Sequence, residues 1–350
     1  MPSSGSLVSI DGAHGEGGGA LLRTAISLAA LTQQSVRLEG VRCGTDYPGL
    51  DEEDLCVLRT LADCCQAELV GAERGSRIVA FHPTRKVSGL SRRIAVEVGA
   101  RQPNALVVLA TLASVLARAG TYSCLEMQGE TYGLGSLSYD YWAGLVVDAW
   151  ARMGLCVFPE LRSAGWGRES SGLVTLDIEP SALDGVTWDR RGQLRRIWAV
   201  VATSGLAPAV AERGIAHIER LADRSNLSIE ARARDLPADR TGAFVTVGID
   251  CEFGAAGFTA MGVKGLRVET LTQRCFGEAL DWLKTDSTAD PYLGDSLLVP
   301  AALASSPTVF KTSRLTPRFL TQVWVTKQFL PIHITVRGKE GEPGVVEIKP

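Results

Sequence analysis

Thirteen residues near the N-terminus, from Asp11 to Arg23, combine residue types that bind and transfer phosphate. They read Asp-Gly-Ala-His-Gly-Glu-Gly-Gly-Gly-Ala-Leu-Leu-Arg, between an apolar strand pattern at 7–10 and an apolar helical pattern at 20–31. Glycines at a strand-to-helix turn let a phosphate approach the free N–H groups of the helix N-terminus. The run therefore predicts a phosphate-handling site, with a purely structural tight turn as the alternative.

Two charged side chains in this run extend the prediction. Glu16 can hold a divalent metal ion or move a proton, and Arg23 places a fixed positive charge one to two turns into the helix. The spacing lacks the Gly-Lys-Ser/Thr of a Walker loop and differs from the Gly-x-Gly-x-x-Gly of dinucleotide-binding turns. The site is thus predicted from residue types and position, without a standard nucleotide motif.

The composition is that of an ordinary globular protein. A length of 350 residues allows two domains, and a net charge of −3 argues against a protein that coats long nucleic acid. Eight cysteines without a Cys-x-x-Cys pair, with Cys64 and Cys65 adjacent, are expected to be buried hydrophobes in a reducing compartment; disulfides or zinc are the alternative. Neither a signal peptide nor an apolar run of membrane length is recognised, so we expect a cytoplasmic protein without a membrane partner.

The order of the predicted elements repeats along the chain. The first copy has strand 7–11, helix 18–32, strand 35–42, helix 51–66 and strands 67–71 and 77–82. The second has strand 93–98, helix 103–118, strand 121–127, helix 137–153 and strands 155–159 and 172–178, offset by about 86 residues. A third copy is partly traced as helix 288–304, strand 307–311, helix 315–328 and strands 331–336 and 344–348. This β-α-β-α-β-β unit predicts an α/β (α+β) fold with helices packed on sheets.

The rhythm breaks between the second and third copies. Residues 183–285 predict strand 197–203, helix 207–224, strands 227–234, 243–252 and 257–261, and helix 268–284. We therefore expect a large domain formed by 1–182 and 286–350, with 183–285 as a small inserted α/β domain. Helical spacing of Val210, Ile218 and Leu221 indicates packing for helix 207–224.

Several stretches together resemble the RNA 3′-terminal phosphate cyclase family. After the glycine run they are Arg42-Cys-Gly44 with Pro48-Gly49-Leu50, Gly129-Glu-Thr131 with Asp140, Val210-Ala-Glu212-Arg213, Tyr292-Leu-Gly-Asp295 and Phe329-Leu-Pro331. The resemblance implies three repeats in a large domain with a small insert before the third. It also implies a reaction in which ATP adenylylates a histidine, AMP passes to an RNA 3′-phosphate, and the neighbouring 2′-OH closes a 2′,3′-cyclic phosphate.

The same resemblance implies a set of site residues and ligands. It predicts ATP, with Mg²⁺ or Mn²⁺, as cofactor and an RNA 3′ end as partner. Glu16 would hold the metal, and Ser296 stands where a glutamine is usual. The positions implied to contact phosphate or adenosine are Gly17, Gly18, Gly19, Arg23, Arg42, Tyr292, Asp295 and Ser296.

The position of the adenylylated histidine holds an arginine. The family pattern His-x-x-Thr-Asn corresponds to Arg318-Phe-Leu-Thr321-Gln322, shortly before Phe329-Leu-Pro331. A guanidinium stays protonated and has no lone pair to offer phosphorus, so Arg318 cannot carry AMP. It can instead clamp a phosphate, or it can form an ordinary ion pair.

Further departures fall in the regions expected near the RNA end. This chain has Thr45 where the family commonly has a basic residue, and Glu53-Asp54 where it tends to have Gln-His. After Gly99, residues 100–104 replace a Ser-Ala-Gly-Ser segment, and the glycine-rich hairpin at 165–172 has lost part of its glycine pattern. The acidic run 51–54 either favours the dipole of the following helix or forms a metal site with Glu16. We expect Glu53 and Asp54 to repel a 3′-phosphate.

Three functions remain in competition. The chain is a divergent cyclase that binds ATP and an RNA 3′ end with altered or lost chemistry, a non-catalytic RNA-binding or assembly scaffold, or a metal-dependent phosphoesterase. His14 is the one histidine near the predicted site and is the alternative nucleophile, whereas His82, His217 and His333 are interpreted as structural.

Overall fold

The computed structural model describes residues 7–96 and 101–350. The predictions that involve Gly99, Ala100 and the end of strand 93–98 therefore lie outside the described residues. Within the described part the fold is mixed α and β, as predicted, with four four-stranded sheets, two of which are joined by single bridges at Ala289.

The first unit follows the predicted β-α-β-α-β-β order. Its elements are β1 (Val8–Asp11), α1 (Gly19–Thr32), β2 (Val36–Glu39), α2 (Glu52–Cys65), β3 (Glu68–Val70) and β4 (Ile78–His82). The strands lie in the order β1-β2-β4-β3, with β1 and β2 parallel and the other pairs antiparallel. Parallel neighbours need a crossover connection, which α1 supplies.

The second unit repeats this topology. It consists of β5 (Ser91–Ile94), α3 (Ala105–Leu116), β6 (Ser123–Gly129), a helical segment, β7 (Val157–Ser163) and β8 (Gly172–Ile178). The helical segment combines α4 (Tyr139–Tyr141), a π-helical turn at Trp142–Val146 and α5 (Val147–Arg152). The strand order β5-β6-β8-β7 matches the first sheet position by position.

A larger sheet with two long helices follows the short strand β9 (Thr187–Trp188). Its elements are β10 (Leu194–Ser204), α6 (Pro208–Arg224), β11 (Glu230–Asp235), β12 (Gly242–Cys251), β13 (Gly254–Met261) and α7 (Val268–Leu283). The order is β11-β10-β12-β13, with β10 and β11 parallel. One face of β10, including Ile197 and Val201, packs with α6 and α7, while Trp198 and Val200 on the other face join the main core.

The third unit is complete, and its first strand is β9. It continues with α8 (Pro291–Ala302), β14 (Thr308–Thr312), α9 (Pro317–Phe329), β15 (His333–Arg337) and β16 (Gly344–Lys349). The order β9-β14-β16-β15, with β9 and β14 parallel, matches the other two units. The sequence analysis missed β9 because a two-residue strand carries no periodicity. The domain division at 183 and 285 stays a prediction, although β9 within that segment pairs with β14.

The cysteine prediction is correct for some positions and wrong for others. Cys56, Cys64, Cys65, Cys251 and Cys275 are buried, and all eight cysteines are free. Cys43 and Cys156 are exposed because both follow the ends of regular elements, in loops. No helix in the described part of the chain is long and apolar enough to cross a membrane.

Candidate functional site

The glycine turn between β1 and α1 is fixed against α9. Gly15 has a φ of 59°, and a Cβ there would collide with the Thr321 hydroxyl. The Glu16 N–H donates to Thr321 Oγ1 at 2.9 Å, and Gln322 Nε2 donates to Thr24 Oγ1 at 3.3 Å. Thr321 and Gln322 therefore position the turn, and the close approach of α9 requires glycine at position 15.

The start of α1 has the properties expected of an anion site. Gly18 is its N-cap and provides no side-chain hydrogen bond. The first-turn N–H groups of a helix have no partner within the helix, and the helix dipole favours negative charge there. Beside them, Glu16 Oε2 is a buried oxygen without a hydrogen-bond partner. One of the first-turn groups, the Leu21 N–H, donates to the Gly18 carbonyl at 3.2 Å. The helix start next to a carboxylate oxygen without a hydrogen-bond partner fits a phosphate group with a bound divalent ion.

Arg318 lies at the mouth of this turn, in the first turn of α9. Its Nε is 3.7 Å from Glu16 Oε2, and its side chain is 46% exposed. Of the two roles left open by the sequence, the ion pair is thus present in the structure. The half-exposed guanidinium keeps donors available to a ligand, so its role as a phosphate clamp stays a proposal.

Asp295 on α8 connects this region to the start of α9. Its Oδ1 accepts a 2.7 Å hydrogen bond from the hydroxyl of Thr316, the N-cap of α9, and its Oδ2 is buried without a partner. Burial raises the pKa of Asp295 to about 7, although Thr316 and Arg318 oppose the rise; Glu16 adds to it. Two carboxyl groups and Arg318 therefore share one electrostatic environment.

The Asp295 carboxyl should make stability depend on pH. An unfolded aspartate titrates near 3.9, so between about pH 4 and 7 the folded state binds the extra proton and its stability falls as pH rises. Asp295→Asn keeps an oxygen that accepts the hydrogen bond of Thr316. Because an amide does not titrate, the variant should not show this fall in stability with rising pH. Its free energy of unfolding, relative to wild type, should rise by about 2–3 kcal/mol from pH 5 to pH 8 in urea titrations. Asp46→Asn, on an exposed loop, controls for the substitution itself; parallel wild-type and Asp295→Asn profiles would contradict the assignment.

Tyr292 and Ser296 lie on the same helix as Asp295. The Tyr292 side chain is 52% exposed, and the Ser296 hydroxyl donates to the Tyr292 carbonyl at 2.9 Å. Positions 292, 295 and 296 share one face of α8 by their spacing. No hydrogen bond or ion pair described for this part of the chain joins Tyr292 or Ser296 to Glu16. Their predicted role in binding adenosine stays a proposal.

Arg23 and Arg42 lie on the other side of the glycine turn, and carboxylates at the start of α2 bind both. Asp54 Oδ1 is 3.0 Å from Arg23 Nη1, and Asp54 Oδ2 is 2.8 Å from Arg42 Nη2. Asp51 Oδ2 is 2.6 Å from the same Arg42 nitrogen. A Cβ on Gly19 would overlap both guanidinium groups, so this glycine lets the arginines meet.

The acidic run also caps α2, as one of the two sequence alternatives proposed. Asp51 and Asp54 form a capping box, with the Asp54 N–H donating to Asp51 Oδ1 at 2.9 Å. Burial and then the neighbouring Asp51 raise the pKa of Asp54 to about 7, whereas the two arginines oppose the shift. At pH 8 the group is therefore mostly ionised.

A third arginine, which the sequence analysis did not single out, extends the same pattern. Arg168 contacts Glu53 through Nη1, and its Nε is 2.7 Å from Glu130 Oε2. Glu53 Oε1 also accepts from the Asn104 N–H at 3.1 Å. The sequence held one signal for this contact. The hairpin at 165–172, which supplies Arg168, and position 53 both depart from the family pattern.

These contacts correct one expectation. Asp51, Glu53 and Asp54 bind arginines rather than joining Glu16 in a metal site. Within 7–96 and 101–350 no group of three or more His, Cys, Asp or Glu side chains is placed to hold a metal ion. The expected repulsion of a phosphate by Glu53 and Asp54 stays a prediction, and both groups contact arginines in the structure.

One cavity adjoins the glycine turn, and a second lies at the start of α2. The smaller, of about 220 Å³, is lined by His14, Gly15, Glu16, Pro317, Leu320, Thr321 and Glu340. The His14 ring stacks on Trp324 with centroids 3.8 Å apart, so this histidine is adjacent to the turn but engaged in a ring contact. The larger cavity, of about 810 Å³, includes Arg42, Tyr47, Asp51, Arg74, Arg101 and Arg168 in its lining.

The remaining histidines and the insert helix lie away from the turn. His82 ends β4, His333 begins β15, and His217 Nδ1 is 2.8 Å from Thr272 Oγ1 in the packing of α6 on α7. Arg213 pairs with Glu269 at 3.2 Å. His217 and Arg213 thus take part in contacts between α6 and α7, and the interpretation of His82 and His333 as structural stays a prediction.

Comparison with known proteins gives consistent matches along almost the whole chain. A family model described as RNA 3′-terminal phosphate cyclase matches residues 14–336. Proteins named RNA 3′-terminal phosphate cyclase include one from Methanopyrus kandleri, 31% identical over 99% of this chain and 99% of its own. Those from Methylococcus capsulatus and Ralstonia nicotianae are 30% and 31% identical, each over 98% of this chain and 96% of their own length.

Proposed function

Because the chain belongs to the RNA 3′-terminal phosphate cyclase family, we propose that it binds ATP and an RNA 3′ end at the glycine turn without forming a covalent protein–AMP intermediate. The observation that carries the proposal is Arg318. It lies on α9 beside Glu16, at the position where the resemblance places the adenylylated histidine. A protonated guanidinium has no electron pair for attack on phosphorus, whereas a neutral imidazole has one.

Three features support retained nucleotide binding. The start of α1 has no side-chain cap, Arg318 is half-exposed, and the buried atoms Glu16 Oε2 and Asp295 Oδ2 have no hydrogen-bond partner, although Arg318 lies 3.7 Å from Glu16 Oε2. Buried polar atoms are normally hydrogen-bonded, so these two carboxylate oxygens near the helix start favour a bound ligand. Glu16 would hold Mg²⁺ or Mn²⁺, which would neutralise phosphate charge when bound.

The alternatives differ in what they require of the turn. A non-catalytic RNA-binding or assembly scaffold is favoured by the filled arginine contacts of Asp54, but it does not need the unsatisfied oxygens at Glu16 and Asp295. A metal-dependent phosphoesterase needs a cluster of metal ligands, and the acidic run that would supply it binds arginines. Our proposal requires that the protein binds ATP, whereas the scaffold hypothesis does not.

Equilibrium binding of ATP tests the proposal. With Mn²⁺ present, Glu16→Gln should weaken ATP binding by about 10- to 100-fold in calorimetry, because a metal-holding charge is lost. Without a divalent ion the same substitution should not weaken binding, since it removes a negative charge from the site. Glu219→Gln, on the exposed face of α6, is the matched control. Absence of ATP binding by the wild-type protein would overturn the proposal and favour the scaffold.

A further inference from the structure

The guanidinium groups beside the glycine turn are already bound within the protein. Arg23 is held by Asp54, and Arg42 by both Asp54 and Asp51, at distances of 2.6–3.0 Å. The side chains of Arg23 and Arg42 are only 14% and 15% exposed, and that of Asp54 is not exposed at all. A carboxylate and a phosphate oxygen compete for the same N–H donors of arginine.

A terminal phosphate could use these arginines only by displacing the carboxylates. Asp54 is fully buried and sits in the capping box of α2, so it has no path into water without unwinding that helix end. If Asp54 stayed in place without its arginine partners, its charge would be buried in a low-dielectric interior without a counter-charge, which is unfavourable. The internal carboxylates are also always present, whereas the RNA must bind from solution. The arginine contacts therefore favour Asp54 and Asp51 over a phosphate dianion.

Of the two carboxylates, Asp51 can contact a different RNA end, whereas Asp54 is buried and acts through the arginines. Asp51 lines the larger cavity, and its side chain is 37% exposed, so it faces a site open to solvent. A carboxylate accepts hydrogen bonds from ribose hydroxyl groups, as acidic residues do in dinucleotide-binding sites. Tyr47, Arg74 and Arg101 in the same lining are exposed, which suits base stacking and contacts with internucleotide phosphates.

We propose that Asp51 and Asp54 set the end specificity of this site: it accepts an RNA 3′ end with free ribose hydroxyls and rejects one with a terminal 3′-phosphate. This proposal rests on the RNA-end binding proposed above. It concerns which end is bound, and it is independent of whether any covalent step takes place.

The test compares two oligonucleotides that differ only at the 3′ end, one hydroxyl and one phosphate, by fluorescence anisotropy at pH 8. The wild type should bind the phosphate end no more tightly than the hydroxyl end. Asp51→Asn combined with Asp54→Asn removes both carboxylate contacts of Arg42 and leaves Arg23 with only a 3.6 Å contact to Glu53, so the affinity ratio should shift toward the phosphate end by roughly tenfold or more. Glu219→Gln, on the exposed face of α6 and outside this cavity, should keep the wild-type ratio. Asp51→Asn alone, at a partly exposed position, should give a smaller shift in the same direction.

A second arm separates failure of this proposal from failure of RNA binding. If neither oligonucleotide binds, the thermal midpoint is measured in inorganic phosphate against chloride at equal ionic strength. The double variant, or Asp51→Asn where the double variant does not fold, should be stabilised by phosphate more than the wild type. Three results would overturn the proposal: a wild type that prefers the 3′-phosphate tenfold, a ratio unchanged in the folded variants, or no gain in phosphate response.

Discussion

Replacing Asp54 by alanine should lower the free energy of unfolding by about 3–5 kcal/mol at pH 8. Asp54 is the shared partner of Arg23 and Arg42, and both guanidinium groups are mostly buried. Without Asp54, Arg42 keeps Asp51 and Arg23 keeps only a 3.6 Å contact to Glu53, so two mostly buried charges lose their shared partner, which is far more destabilising than losing a surface pair. The measurement is urea-induced unfolding followed by circular dichroism. It is made at pH 8 because the pKa of Asp54 is raised to about 7.

Asp46→Ala, in the exposed loop before α2, is the control for this measurement. Surface substitutions of this kind usually change stability by about 0.5 kcal/mol or less. If Asp54→Ala and Asp46→Ala had equal stability, the contacts of Asp54 with the arginines would contribute nothing. The argument that these contacts outcompete a phosphate would then lose its energetic basis.

Arg318→His alone should not restore cyclisation of an RNA 3′-phosphate. The substitution supplies an imidazole beside Glu16, but Arg23 and Arg42 remain bound to Asp54 and cannot position the terminal phosphate. Positioning of the reacting group contributes several kcal/mol to catalysis, so its loss keeps turnover below detection. The assay scores 2′,3′-cyclic ends on a short 3′-phosphorylated RNA in the presence of ATP and Mn²⁺.

The comparison variant combines Arg318→His with Thr45→Arg, Glu53→Gln and Asp54→His. It returns to the site the residue types that the resemblance implies, and it should form cyclic ends at a rate at least about tenfold above the detection limit of the assay. Full cyclase activity in Arg318→His alone would show that the carboxylates of α2 do not limit binding of the phosphate end. Our account of the rebuilt site would then be wrong.

The sequence predicted those features of the fold that have a local signal. Periodicity and spacing gave the repeated β-α-β-α-β-β order, and the third unit shares the strand order of the first two. The first strand of that unit was missed because Thr187–Trp188 is too short to show alternation, and pairing with β14 defines it. Such a strand depends on its long-range partner rather than on its own residues.

The arginine–carboxylate network was not predictable for a similar reason. The sequence showed acidic residues at 51–54 and separate basic positions, and it left open a helix cap or a metal site. Asp51 and Asp54 do form the cap, but their second partners come from α1 and the loop after β2. Arg168 joins Glu53 from the loop between β7 and β8. Spacing along the chain cannot show that helix α1 and two loops converge on the start of α2.

The most direct test of the central claim is whether AMP becomes covalently attached to the protein. Wild-type protein is incubated with α-³²P-labelled ATP and Mg²⁺ or Mn²⁺, then denatured, separated from free nucleotide and analysed by intact-mass spectrometry. With Arg318 at the nucleophile position, we predict nucleotide bound before denaturation and neither label nor an AMP mass increment afterwards. An AMP adduct that survives denaturation, at His14 or at any other residue, would contradict the account.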